Sequence, residues 1–226
     1  MLAAAFFVTV CVALAAHHVL IERPRRAASR EIERRTRAGP ARLEDVMGAL
    51  PGGVFLQNGF TWSRVTPDGA VEVGVHPMLI GLLGRDPELD LEIPGSRVER
   101  GHPFVRLGVG DRSLAVRAPL SGRITARNRW PRRDATWEGT RVRDGSWLYR
   151  IEPDDLAREV PTWMIGDRAA EWTRNRYDRI REHLQHAVSD GATGLALADG
   201  GEVPYGALHE LPAEAWATFE TKFLRT

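Results

Sequence analysis

Between residues 52 and 155 the chain is cut into short runs of β-forming residues, at 60–65, 70–75, 104–107, 114–117, 122–126 and 147–151. Each run is bounded by residues that turn a backbone: Pro67-Asp68-Gly69, Pro94-Gly95, Gly108-Val109-Gly110-Asp111, Pro119-Leu120-Ser121-Gly122 and Asp144-Gly145. Runs so short, so regularly interrupted, predict a small barrel or sandwich. Only 76–84 (HPMLIGLLG) reads as a helix within this stretch. Gly69, Gly95, Gly122 and Gly145 are expected to serve the turns, through positive φ or a preset bend. Trp62 and Trp147 are expected to fill the barrel core.

Residues 1–21 carry no formal charge, and a helix of that length rises about 30 Å, the thickness of a bilayer core. No Lys or Arg precedes the run as a signal peptide would require, so a transmembrane helix is the expectation. Residues 22–42 then hold eight Arg against three Glu. Positive charge on that flank predicts a single pass of the inner, cytoplasmic membrane with the remainder of the chain in the cytoplasm. Arg23, Arg25, Arg26 and Arg30 are expected to meet anionic lipid headgroups, and His17 and His18 to sit at the interface. Gly39-Pro40 breaks the Arg-rich linker, which extends over 22–51. The whole chain balances 31 basic against 30 acidic residues, net +1, which does not suggest a nucleic-acid partner. Cys11 is the single cysteine, so neither a disulfide framework nor a cysteine metal cluster is expected.

Beyond the β-type runs, Asp154-Asp155 reads as a helix cap rather than a paired acid and base, because adjacent side chains point apart. Asp167 is expected to cap a helix reaching Ser189, with Ala169, Trp172, Thr173, Tyr177, Ile180, Leu184 and Val188 along one face. Trp163, Met164, Trp172 and Tyr177 are either packing residues or a partner-binding patch. His183 and His186, with Glu182 nearby, share a helix face but lack further metal ligands, and a solvated surface is the simpler reading. A hairpin over 195–205, turning at Asp199-Gly200-Gly201, and a helix over 212–224 complete the expectation. Gly108 to Gly110 lacks the third Gly and following helix of a dinucleotide site, and Ser121 has no His in a recognisable nucleophile arrangement. The chain is therefore read as no enzyme, without metal, cofactor or small-molecule substrate.

The order of motifs resembles the glycine cleavage system H protein family, relatives of lipoyl and biotinyl carrier domains. The resemblance rests on Gly59-Phe60-Thr61-Trp62-Ser63-Arg64-Val65, Gly69 to Val75, the Met78 to Gly84 helix, Ile93-Pro94-Gly95 through Gly101, Ala118-Pro119-Leu120-Ser121-Gly122, and Asn128 followed by Gly145-Ser146-Trp147-Leu148. It implies a mainly β, lipoyl-like barrel–sandwich hybrid domain, the single hybrid motif, over 52–156, with a C-terminal helix over 157–190 on or beside the barrel and a small α/β tail over 191–226. In that family a lysine at the tip of an exposed hairpin carries lipoate. Counting back from Pro119 places the tip at Asp111 and Arg112, and a guanidinium, which stays protonated, cannot accept a lipoyl group. Of the 31 basic residues only Lys222 is a lysine, and it lies outside any such hairpin. The resemblance with this departure implies a membrane-tethered, non-lipoylated adaptor or scaffold for an unidentified cytoplasmic protein. Asp111, Arg112, Trp163 and Trp172 are its candidate partner-binding residues. The alternatives are a true lipoyl carrier in glycine cleavage or a related complex, and an export-pump adaptor.

Overall fold

The computed structural model describes residues 51–84, 87–128, 146–189 and 202–225, all within the compact unit Arg42–Thr226. The expected span over 1–21, Arg23, Arg25, Arg26 and Arg30, the linker to residue 50, Gly145 and the Asp199-Gly200-Gly201 turn lie outside the described residues. Among the described residues no helix is long and apolar enough to cross a membrane.

The described elements are β1 (Phe55–Gln57), β2 (Thr61–Val65), β3 (Val71–Val75), α1 (Pro77–Leu83), β4 (Glu88–Leu91), β5 (Arg97–Val98), β6 (Pro103–Val109), β7 (Arg112–Arg117), β8 (Gly122–Arg127), β9 (Tyr149–Pro153), α2 (Leu156–Glu159), α3 (Asp167–Ser189) and α4 (Ala213–Leu224). They form a six-stranded sheet in the order β1-β2-β3-β9-β8-β5 and a three-stranded sheet in the order β4-β6-β7. All pairings are antiparallel. The mainly β expectation holds, and β1, β4 and β5 are strands additional to the expected six.

Alternation aims Val71, Val73 and Val75 of the first sheet and Val105, Leu107, Leu114 and Val116 of the second into one core. Tyr149 ties the sheets together: its hydroxyl donates to the Phe104 carbonyl at 2.9 Å and accepts from the Glu92 amide at 2.6 Å. Burial pushes the phenol pKa upward, so this donor persists at any ordinary pH. Helix α1 is buried along its whole length, which is why it can be apolar on every side. His76 caps it, Nδ1 accepting from the Met78 amide at 3.1 Å, and Pro77 opens it without losing a needed donor.

Two glycines are set by close approach. A Cβ on Gly74 would come within 2.4 Å of the Trp62 ring, and one on Gly122 within 2.2 Å of the Glu152 carbonyl. Gly69 and Gly95 do take positive φ, 83° and 97°, as turns demand, but Gly122 is required by the β8–β9 contact rather than by a bend. Trp62 is likewise a correction. It is buried, yet it packs with Val54 and the half-buried Trp147 in a separate small cluster, because Gly74 lets the indole lie across β3 away from the main core.

Helix α3 spans Asp167–Ser189, with Asp167 as its first residue rather than a cap outside it. It adds Tyr177, Ile180 and Leu184 to the same core. The tail follows: Val203 is buried with its amide donating to the Tyr177 hydroxyl at 3.3 Å. The described part of the expected 195–205 hairpin, Glu202 to Tyr205, contains no strand. A 3-10 turn, Ala207–Glu210, precedes α4, whose Trp216, Phe219 and Phe223 complete the core from that side.

Candidate functional site

Strands β6 and β7 form one tight hairpin. Val109 pairs with Arg112 and Gly108 with Ser113, leaving Gly110-Asp111 as a two-residue turn. Gly110 supplies the positive φ, 61°, that such a turn needs at its first position. Counting from Pro119 placed the tip at Asp111 and Arg112; the turn itself is Gly110-Asp111, and Arg112 is the first residue of β7. The Asp111 side chain is 96% exposed, and its carboxylate comes no closer than 3.9 Å to the Arg112 guanidinium.

The Arg112 side chain is 34% exposed and is also engaged within the chain. Nη1 donates to the Leu211 carbonyl, 99 positions along the chain, and the guanidinium lies 5.8 Å from the centre of the Trp216 ring. The Trp216 indole in turn donates to the Ser113 carbonyl at 3.4 Å. A cation held against an aromatic face while donating to a carbonyl is well satisfied. Leu211 and the first turn of α4 therefore clasp the hairpin just behind its turn, at Arg112 and Ser113.

The residues after the hairpin are structural. The Ser121 hydroxyl accepts from the Arg100 amide at 3.0 Å, and the largely buried Glu159 carboxylate takes the Arg100 guanidinium at 3.0 Å. Asp154 pairs with Arg97 at 2.6 Å, whereas Asp155 caps α2 by accepting from the Arg158 amide at 3.1 Å, so the two carboxylates diverge as expected. Lys222 lies exposed on α4, its ammonium 5.6 Å from the Phe223 ring.

Trp163 and Trp172 do not make one exposed patch. Trp163 is 5% exposed and packs on Phe55 with ring centres 5.4 Å apart. Met164 and Tyr177 are buried as well. Trp172 is half-buried, 5.4 Å from Phe60 and 6.1 Å from His76, and its outer edge borders a recess. Burial lowers the His76 pKa to about 4. His183 lies against the paired Phe219 and Phe223 rings, and burial also lowers its pKa, while His186 is exposed. Among the described residues no group of His, Cys, Asp or Glu is arranged to hold a metal ion.

Sequence reasoning missed three participants. Leu211 offers a backbone carbonyl, which no side-chain pattern signals. Trp216 sits in a stretch without a recognised motif. Arg176 had a visible signal, since it falls in the middle of the apolar stripe of α3.

The described residues form a two-sheet β domain that projects one tight hairpin. No family model matches the chain. The glycine cleavage system H protein of Methylococcus capsulatus is 32% identical over 110 residues, 49% of this chain and 86% of that protein. Glycine cleavage system H protein 2 of Aquifex aeolicus is 26% identical over 120 residues, 52% of this chain and 73% of its own length. The crystal structure of the H protein from Mycobacterium marinum covers 54% of this chain and 97% of that one, at 23% identity and a TM-score of 0.45. On the first of these similarities, the chain belongs to the glycine cleavage system H protein family. About half of it lies outside the matched stretches.

Proposed function

We propose that this chain is a membrane-anchored, non-lipoylated H-protein-like domain that acts as an adaptor or scaffold for a cytoplasmic protein. The observation that carries the reading is the hairpin turn, Gly110-Asp111, which has no lysine and is followed by an arginine engaged within the chain. Lipoyl transfer needs a side-chain amine that can lose its proton, and the basic residues of the hairpin, Arg106, Arg112 and Arg117, are guanidinium ions. The clasp by α4 gives the hairpin a fixed geometry suited to docking, and the exposed Asp111 supplies an ionic contact at its apex. The uncharged run over 1–21 and the arginines behind it provide the tether, which raises local concentration near membrane-bound partners.

The test is purification of the tagged full-length chain from gently solubilised native membranes, with its intact mass and the identity of co-eluting proteins. An unmodified mass together with a stable co-eluting protein, lost on Asp111→Ala, supports the adaptor. A mass increase matching a lipoyl group, with glycine-cleavage enzymes co-eluting, overturns it in favour of a carrier. Recovery in the soluble fraction without detergent overturns the tether.

A further inference from the structure

Helix α3 buries a charge. Trp172, Arg176 and Ile180 succeed one another at four-residue steps along its inner stripe, and Arg176 is only 5% exposed. Its guanidinium lies 5.0 Å from the Trp172 ring, 5.4 Å from Phe60 and 5.8 Å from Phe223. Nη2 donates to the Asn58 carbonyl at 3.0 Å. That is one neutral acceptor for a group with five N–H donors. Among the described residues no carboxylate lies within ion-pair distance of Arg176, nor of its neighbour Arg179. A buried cation without a counter-ion is costly, and the cost recurs in its pKa, which burial and the charge of Arg179 lower to about 10. The Arg179 guanidinium lies close enough to repel that of Arg176.

The guanidinium is not sealed off. A recess of about 260 Å³, bounded by Asn58, Trp172, Asn175, Arg176 and Arg179, opens beside it. The floor is held by an unusual backbone. In the three-residue β1–β2 loop the left-handed position that normally takes glycine is occupied by Phe60, φ 59°. The His76 amide donates to the Phe60 carbonyl at 2.7 Å. This conformation sets the Asn58 carbonyl and the Phe60 ring against Arg176.

We propose that this recess binds a phosphate-type oxyanion through Arg176 and Arg179, with Asn58 and Asn175 as polar walls and Trp172 as an aromatic side. A monoanion would leave one of the two mutually repelling guanidinium groups uncompensated, whereas a phosphomonoester dianion neutralises both. Its oxygens match the forked donors of arginine. The same chemistry is offered by a free phosphate compound and by a lipid headgroup.

The experiment is calorimetric titration of the full-length chain in non-ionic detergent with inorganic phosphate, paired with flotation on phosphatidylcholine vesicles with and without phosphatidic acid. Saturable phosphate binding of roughly 1 mM or tighter is expected, weakened at least tenfold by Arg179→Ala, an exposed site whose loss leaves the core intact, and abolished by Arg176→Gln. Arg179-sensitive binding to the phosphatidic acid vesicles that phosphate competes away assigns the headgroup as the source. Phosphate binding without it assigns a soluble ligand. Vesicle binding by the arginines at 23–42 is recognised because Arg179→Ala does not change it. Absence of saturable phosphate binding, or binding that both variants leave intact, overturns the proposal.

Discussion

The clasp between the hairpin and the C-terminal helix is tested by replacing Trp216 with alanine. The indole is 6% exposed, so the substitution strips a buried ring from the edge of the core. It also removes the donor to the Ser113 carbonyl and the face beneath Arg112. Losses for Trp→Ala in a core are about 3–5 kcal/mol, and a site at the rim, able to relax, falls near the lower end, at about 3 kcal/mol. Because β7 is the strand against which α4 chiefly packs, the loss is expected to be local. Amide hydrogen exchange across α4 accelerates roughly 100-fold, the factor corresponding to about 3 kcal/mol, while amides of β3 and β9 change little. Arg112→Ala alone costs about 1–2 kcal/mol, a charge-assisted hydrogen bond reduced by partial solvent exposure. In a double-mutant cycle the pair shows a coupling of about 0.5–1 kcal/mol for the cation against the ring. A Trp216→Ala loss below about 1 kcal/mol, or acceleration spread evenly over both sheets, would refute the argument that α4 clasps the hairpin.

Further outcomes follow from the same geometry. Gly122→Ala places a methyl 2.2 Å from the Glu152 carbonyl and must push β8 from β9; it is expected to cost about 3 kcal/mol or to prevent folding. Gly69→Ala, in open space at φ 83°, costs about 1 kcal/mol, and urea midpoints for the two variants rank them. His76 has its pKa lowered from 6.5 to about 4. A depressed histidine pKa leaves stability intact above 6.5 and removes it as pH falls from 6.5 to 4, by about 3 kcal/mol in all. His76→Asn keeps a capping acceptor and should flatten that part of the pH profile, and an unchanged profile would exclude His76 as its source. Asp111→Ala, at an exposed turn, leaves the unfolding free energy from urea titration within about 0.5 kcal/mol of wild type, so any loss of partner capture reports contact rather than unfolding.

Much of the fold could be read along the chain because turns are decided by a few adjacent residues. Gly69 and Gly95 take the positive φ that their neighbours announce, Asp155 caps the helix that begins after it, and the Gly108-Val109-Gly110-Asp111 signal contains the hairpin turn, although Gly108 and Val109 are still paired in β6. The short strands escaped that reading. Arg97–Val98 is too short for alternation, and it is a strand only because β8 offers it a partner edge.

What the linear order of residues determined is therefore the sequence of β runs and turns, the hairpin tip to within one residue, and the absence of a lysine there. These rest on backbone preferences and functional groups that each residue carries wherever it goes. Tertiary structure alone decided that Arg112 faces inward to a carbonyl 99 positions away, that Trp62 leaves the main core by crossing Gly74, and that Arg176 is buried beside an open recess without a counter-ion. Partners so distant are set by how the sheets and helices close on one another, because the energy of a charge or a ring depends on what surrounds it.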